Sequence, residues 1–560
     1  MSYTPSENSV TKPEHSDGVP PDYKGYTNDH EHATTDFSDG PAAEVVDDGV
    51  KRGLKTRHLS MMALAGIIGP GLLIGSGGAL TSGGPASLII GFGAIGIIAF
   101  SIMQSLGEMT TLYPTGGAFT KLGDRFVDEA AGAAVGWNYF IIWACVLSNE
   151  YNALTSILYF WSEKVPIWGY FLLFWFFFLA FQLLGVEVFG EAEFWLGLIK
   201  IIGLVAFFIF AIVYAAGGVG RLDNGDGTTR ALGFHYWHDP GAFPNGFRGV
   251  ATVFVFCSTF YAGVESVAVA ATETRNPSVA VPRAIRQVFW RIIFVYLGSA
   301  FFFGLVCSSK ATQLVSADAK ALQSPMTVAI QTAGWHGGVH LINAFILVTC
   351  LSAVNSSIYI GSRTVLFMAK DRKAPKFLAY TNKRGVPVFA IIFTNAFAAL
   401  SLMNISTGAG KAYGYIVNLS GVSTFLVWGS ISFIHLRFRA GWAAQGYSPE
   451  DLPYRAMFFP YNAWFGLIAN VFLALVQGWT TLSPFDAGNF VDSYILLPLF
   501  FLIFFFYKIV FRTRWVRANE MDVVSGRRKD ADAPADEEEE IDGVMTPKKK
   551  TTWKKVCENF

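Results

Sequence analysis

Two uncharged runs constrain this chain more than any other feature. No Asp, Glu, Lys or Arg occurs from Leu59 to Gly107, nor from Ala321 to Ser362. Each run exceeds the ~20 apolar residues that cross the hydrocarbon core of a bilayer. The composition agrees: of 560 residues, 52% are hydrophobic, 16% aromatic and only 15% charged, with a mean hydropathy of +0.39. A soluble chain carries about 25% charge. Soluble enzymes and single-anchor receptors are excluded, and the sequence reads as an all-α polytopic membrane protein.

Apolar stretches of helical length, punctuated by Gly, Pro and charge, divide the middle of the chain into twelve spans. They lie near 59–82, 84–106, 130–161, 166–186, 194–217, 247–272, 288–308, 338–365, 386–404, 412–434, 461–480 and 491–511. This leaves a disordered N-terminal tail at 1–50, a twelve-helix domain at 51–511 and a C-terminal tail at 512–560. An even number of spans returns both termini to one side. On that topology the inner loops hold sixteen Lys and Arg and the outer loops seven, so the positive charge places both termini in the cytoplasm.

Residues 1–50 are rich in Ser, Thr, Asp, Glu and Pro and lack the basic-apolar-small order of a secretory signal. The first span is therefore expected to act as its own insertion signal. The C-terminal tail carries an acidic run, Asp536 to Glu540, and a basic triplet, Lys548 to Lys550. It reads as a solvated tail or as one that receives trafficking factors or ubiquitin ligases. Cys145, Cys257, Cys307 and Cys350 lie in apolar segments and Cys557 in the tail, so no disulfide framework is expected.

The first span cannot run as one helix. It contains Gly69-Pro70-Gly71, with further glycines at 75, 77 and 78. Pro70 removes a backbone donor and the glycines favour unwinding. Backbone groups freed in this way cannot face lipid and must line protein or a wet cavity. The bland alternative is close helix packing through small residues. The sixth span repeats the oddity at Phe260-Tyr261-Ala262-Gly263-Val264-Glu265. Breaks in spans one and six are what a five-plus-five inverted repeat predicts, with a small charged solute bound between them at the midplane.

Few ionisable residues fall within the spans, and each is costly enough to be informative. They are Glu108 at the inner end of span two, Glu150 near the middle of span three, Lys200 early in span five and Glu265 in span six. Each is either a fixed structural ion pair or cap, or part of a substrate or proton path. Burial can bring a lysine into the range where it exchanges protons near neutral pH, which suits Lys200 to carrying a proton.

Seven blocks, in order, resemble the fungal amino-acid permease family of the amino acid–polyamine–organocation superfamily. They are RHLSMMALAGIIGPGLLIGSG (57–77), SLGEMTTLYPTGGAF (105–119), GWNYF (136–140), FGEAEFWLGLIKII (189–202), AGVESVAVAATETRNPSVAVPRAIRQVFWRI (262–292), AVNSSIYIGSRTVLFMAKDRKAPKF (353–377) and VNLSGVSTFLVWGSISFIHLRFR (417–439). The resemblance covers about residues 50 to 510.

It implies twelve helices in the bacterial leucine-transporter fold and proton-driven uptake of amino acids by alternating access. By motif, the break at Gly69, Pro70 and Gly71 would receive the substrate carboxylate on its exposed backbone N–H groups. Opposing carbonyls and the break at Phe260, Ala262 and Gly263 would hold its ammonium. Lys200 would stand where related transporters bind sodium, Glu150 matches the acid usual in span three, and Glu265 that of span six. Glu108 joins Lys200 and Glu150 as a candidate for proton coupling. Two departures stand out: the family often has Gly-Thr-Gly and Gly-Thr-Glu where this chain has Gly-Pro-Gly and Gly-Val-Glu, so a hydroxyl is missing at each break.

The expected partners are an amino acid, a proton and the lipid bilayer, with ubiquitin ligases or trafficking factors on the tails and no nucleic acid. No cofactor or metal is expected, because the sequence has no metal-ligand spacing, nucleophile–base set or phosphate loop. The expected location is the plasma membrane, with an internal membrane such as the vacuole as the alternative. Two other readings are a transport-like amino-acid sensor and a carrier of another amine, such as choline or a polyamine.

Overall fold

The computed structural model describes residues 53–527 except 67, 224–228, 275–276, 315–323, 408 and 483, together with the backbone of 538–541 and 544–547. The N-terminal tail, Ile67 of the first break, the Lys548 triplet and Cys557 lie outside the described residues. Apolar helices dominate. α1 (Thr56–Ala65) is followed by a wide turn at Gly71–Gly75 and then α2 (Ser76–Leu112), α3 (Phe119–Phe126), α4 (Glu129–Trp161), α5 (Ile167–Gln182) and α6 (Val186–Ala215). After a connecting segment come α7 (Gly246–Tyr261), α8 (Ser266–Ala270), α9 (Pro277–Arg291), α10 (Gly298–Val306), α11 (Pro325–Thr332) and α12 (His336–Lys370). α13 (Val388–Ala396), α14 (Asn404–Thr407), α15 (Ala409–Ala444), α16 (Tyr461–Val476), α17 (Ala487–Tyr494) and α18 (Leu496–Val510) complete the bundle.

Among the described residues, eight helices are long and apolar enough to cross a membrane, or nine if α17 and α18, bent by 42°, form one span. One of the eight, Gly71–Leu112, has 42 residues. At 1.5 Å per residue it is about 63 Å long, twice the hydrocarbon thickness. It is interrupted at Gly84 (φ 84°, ψ 175°), next to Pro85, where the sequence sets the boundary between spans one and two. The fourth and ninth spans correspond to shorter apolar helices, Ile167–Gln182 and Val388–Met403.

Burial sorts the helices into an inner and an outer set. In Gly246–Ala270, 89% of the apolar window is buried, against 28% in both Val186–Ala215 and Tyr461–Thr481. The outer helices expose Leu173, Phe176, Ile202, Ile209, Ile468, Phe472, Leu502 and Ile509. On a chain of this hydropathy those faces meet lipid tails. Inside, α4 packs along α12 and α15, and α2 along α7. Polar side chains tie the inner helices: Asn138 Nδ2 donates to Ser423 O at 2.9 Å, and Gln182 Nε2 to Asn355 O at 2.8 Å.

Three features differ from the sequence reading. α6 begins at Val186, directly after Gly185 (φ 110°), rather than near 194, so Lys200 stands in the middle of its helix. Arg291 and Arg363, counted above among the inner-loop charges, are buried: Arg291 Nη1 donates to Ala63 O at 2.5 Å, and Arg363 pairs with Glu273 at 2.9 Å.

The third difference lies beyond α18, where residues 512–527 fold back on the bundle instead of leaving it as a solvated tail. Val516 N–H donates to Val127 O at 2.9 Å and Tyr113 Oη to Val523 O at 2.6 Å. Arg125 Nη2 donates to Ser525 O at 2.5 Å and pairs with Asp522 at 3.1 Å. Met521 and Val523 are fully packed beneath this strap. Farther on, Glu538–Ile541 and Val544–Pro547 form a two-stranded antiparallel hairpin, which takes in part of the acidic run.

Candidate functional site

The two interrupted helices meet. α1 ends with Gly66 as its cap, and the chain resumes helical form only at Pro70, whose φ of −59° starts the wide turn Gly71–Gly75. The first N–H groups of that half-helix have no carbonyl one turn earlier to bond, and they carry the positive end of its dipole. Opposite, α7 stops at Ala262, which turns to ψ 132°. Gly263 follows with φ 99°, a conformation that a side chain disfavours, and α8 restarts at Ser266. Phe260 lies across the gap: a Cβ on Gly71 would stand 3.0 Å from Phe260 Cδ1. Glycine at 71 is therefore what allows the aromatic ring to close on the first break.

A cavity of about 50 Å³ sits between the breaks. Gly66, Gly69, Pro70 and Gly71 form one side and Thr259, Phe260, Ala262 and Ser266 the opposite side. α4 supplies Trp143, Val146, Asn149 and Glu150, and α12 supplies Ala353, Ser356, Ser357 and Ile360. The wall is mixed: backbone polar groups at the breaks, hydroxyls and an amide on two flanks, apolar and aromatic surface elsewhere. Asn149 is buried and its Oδ1 has no hydrogen-bond partner among the described residues. An orphan acceptor beside freed N–H groups fits a solute bearing both a donor and an anionic group.

Of the residues singled out from the sequence, Gly69, Pro70, Gly71, Phe260, Ala262 and Glu150 converge on this cavity. Glu150 accepts from Ser357 Oγ at 2.7 Å. Gly263 and Glu265 do not line it. The Glu265 carboxylate turns back to accept from the Gly263 N–H at 3.0 Å and from Trp428 Nε1 at 3.0 Å, which braces the second break from behind.

Lys200 is also outside the lining, yet it touches the first break: its Nζ lies 3.3 Å from Ala65 O and 3.4 Å from Gly66 O. Those are carbonyls at the C-terminal end of α1, where Ala65 O also accepts from the Ile68 N–H at 3.0 Å. Glu108 sits elsewhere, buried against His435 Nε2 at 2.9 Å, Arg439 Nη2 at 3.0 Å and the Ala456 N–H at 2.7 Å.

Sequence reasoning missed Glu193. It is buried on α6, and Ser352 Oγ stands 2.6 Å from each of its oxygens. Ser356 Oγ lies 2.9 Å from Oε1. The available signal was its spacing: Glu193 precedes Lys200 by seven residues, two helical turns, and so shares its face. The expected start of span five near 194 hid it. Among the described residues α15 contributes none to the lining of this cavity, but Val417 O accepts from Thr259 Oγ1 at 3.1 Å and so backs the wall. Among the described residues no group of three or more His, Cys, Asp or Glu is placed to hold a metal ion.

Comparison with known proteins places these features in a family context. The family model described as Amino acid permease matches residues 58–520. The general amino acid permease AGP3 of Saccharomyces cerevisiae is 55% identical over 495 residues, which cover 88% of this chain and 87% of that protein. An uncharacterized amino-acid permease of Schizosaccharomyces pombe is 47% identical over 520 residues, 92% of this chain and 94% of its own length. The general amino-acid permease GAP1 of S. cerevisiae is 35% identical over 514 residues, 89% and 84% of the two chains.

Proposed function

The chain belongs to the amino acid permease family, and from that premise we propose that it imports amino acids across the plasma membrane by proton symport with alternating access. The observation that carries the reading is the cavity between the two helix breaks. The half-helix N–H groups at Gly71 and beyond receive the α-carboxylate, as helix N-termini receive anions. Asn149 Oδ1 and the Ala262 carbonyl at the second break accept from the ammonium. Trp143, Val146, Phe260 and Ile360 face the side chain, a surface suited to neutral amino acids. The relatives named as general permeases support a broad range.

Twelve crossings, with both termini cytoplasmic, fit this helix set. The interruption at Gly84 divides the longest helix in two, α17 and α18 join as one bent span, and the two shorter apolar helices each add a crossing. We place the permease domain at 51–511, between the tails 1–50 and 512–560, with residues 512–527 held against it. Lys200 carries the proton: as an ammonium it holds the end of α1 through Ala65 O and Gly66 O, and as an amine it loosens that hold. Movement of α1 then opens the inner side. Glu150 binds at the cavity, and Glu265 and Glu108 act as fixed braces.

A potential of 100 mV contributes about 2.3 kcal/mol per charge moved, or roughly 50-fold accumulation of a zwitterion carried with one proton. Uptake of labelled amino acids into cells lacking their own permeases tests the reading. Accumulation that rises at acid external pH and collapses with a protonophore is expected; indifference to both would sink proton coupling. Competition by choline but not by amino acids would transfer the site to a carboxylate-free amine.

A further inference from the structure

The buried carboxylates of the bundle differ in the kind of partner they meet. Glu108 faces the Arg439 guanidinium, the Ala456 N–H and a histidine ring. Glu265 faces the Gly263 N–H and the Trp428 indole. Glu273 faces the Arg363 guanidinium at 2.9 Å. Backbone N–H, indole and guanidinium groups donate and cannot accept, so they pair with a carboxylate and leave a carboxylic acid poorly matched.

Glu193 is held by hydroxyls instead. Ser352 and Ser356 are its hydrogen-bond partners among the described residues, at 2.6 to 2.9 Å, and no cation lies within 4 Å of it there. A serine hydroxyl donates to an anion and, once rotated, accepts from an acid. The pocket can therefore satisfy Glu193 both with and without a proton, whereas Glu108 and Glu273 each face a guanidinium that matches only the ionised carboxylate. The charged groups whose field reaches it are Lys200, on its own helix face, and Glu150 on α4. From α12, the neighbours are the two serines.

Position completes the argument. Ser356 is at once a partner of Glu193 and part of the cavity wall, and its neighbour Ser357 binds Glu150 at that same wall. Two protonation-tolerant carboxylates thus approach the substrate cavity through adjacent serines of α12, while Lys200 lies two turns along α6.

We propose that Glu193 is a second proton-binding residue of the transport cycle, joined to the substrate cavity through the hydroxyl of Ser356. It holds the same transported proton as Lys200 at a different stage of the cycle, forming one O–H bond when the proton arrives and breaking that bond when the proton leaves. The serine hydroxyls turn between donating and accepting, and no other bond changes. This rests on the proton-symport reading above and adds a residue and a route to it.

The test compares wild type with Glu193→Gln, Glu193→Asp and Ser352→Ala/Ser356→Ala in cells lacking their own permeases. The readouts are accumulation, its external-pH profile, substrate-induced proton uptake and counterflow exchange of labelled amino acid. Glu193→Gln is expected to retain counterflow but to lose proton uptake, with accumulation falling from about 50-fold to about the outside concentration. Glu193→Asp should keep a pH response with a displaced midpoint. Wild-type accumulation and pH profile in Glu193→Gln would overturn the proposal. If that variant fails to reach the membrane, the double serine variant decides: a displaced pH profile supports the proposal and an unchanged one overturns it. A pH-insensitive wild type would instead overturn the symport reading, and this proposal with it.

Discussion

The Nζ of Lys200 stands 3.3 Å from the backbone oxygen of Ala65, so the middle of one lipid-bordering helix holds the last turn of the helix that precedes the first break. An ammonium is a far stronger donor to a carbonyl than a neutral amine. On the proposed function, this contact is where the presence of a proton would change the hold on α1.

Replacing Lys200 by methionine removes the grip while keeping length and apolar bulk. Lys200→Met is expected to abolish accumulation, leave counterflow exchange measurable and leave the protein at the membrane. Surface biotinylation with parallel uptake and counterflow measurements checks this. Concentrative uptake at the wild-type level would remove Lys200 from the mechanism.

Gly71 faces Phe260 so closely that a Cβ would stand 3.0 Å from the ring. Alanine there forces the ring outward by a few tenths of an ångström and widens the closed site. Overpacking of this kind costs about 1–3 kcal/mol. The expected result is an apparent affinity weakened roughly 5- to 150-fold, read from the concentration dependence of uptake, with normal surface expression. Gly71→Ala with Phe260→Leu should recover part of the loss, because the smaller side chain gives the methyl room.

Glu273 and Arg363 form a buried ion pair at 2.9 Å, and Glu273 O also accepts from the Leu54 N–H at 3.0 Å. One residue thus connects α12, the end of the broken sixth span and the segment leading into α1. Removing one partner of a buried pair leaves an uncompensated charge and costs about 3–5 kcal/mol. Glu273→Gln and Arg363→Met should each lower the midpoint of thermal unfolding in detergent. The double variant should lose less than the sum of the two, and strict additivity would mean that the pair is not coupled.

The strap at 512–527 depends on Arg125, which meets Ser525 O at 2.5 Å and Asp522 at 3.1 Å. Burial works against ionisation of Asp522, but the Ser525 N–H and the Arg125 charge outweigh it and hold this carboxyl below its usual range. Its contribution is present above the unfolded carboxylate range, about pH 4, and is lost only as pH falls through the lower folded value, so docking persists at neutral pH. Arg125→Ala removes about two hydrogen bonds, of order 1–3 kcal/mol. Trypsin cleavage within the strap should accelerate roughly tenfold in open membranes. An unchanged cleavage rate would show that Arg125 does not hold it.

Much of the architecture was legible because insertion into a bilayer is dictated by local properties. Length, apolar content and charge placement along a single segment decide whether it spans. Pro70 between two glycines, and Gly263 beside an acid, announced the breaks for a similarly local reason: backbone donors are lost or freed wherever they sit. Lys200 and Glu150 stood out as ionisable residues inside apolar spans, and the structure brings Glu150 to the cavity wall and Lys200 to the carbonyls at the end of α1. Glu265 was equally visible in sequence, but the Trp428 indole that turns it away from the cavity is 163 residues distant. Glu193 was obscured by a helix start set eight residues too late.

The sequence by itself determined that this chain crosses a membrane many times, where its helices are interrupted and which family it resembles. Each of those properties is carried by neighbouring residues. Tertiary structure alone decided which buried carboxylate meets a hydroxyl, which meets an arginine and which meets an indole. It also decided that the chain after the last helix folds back rather than trailing away. In a low-dielectric interior those partners set whether a charge is locked in place or free to exchange a proton. They come from positions 90 to 331 residues away, where no local pattern records them.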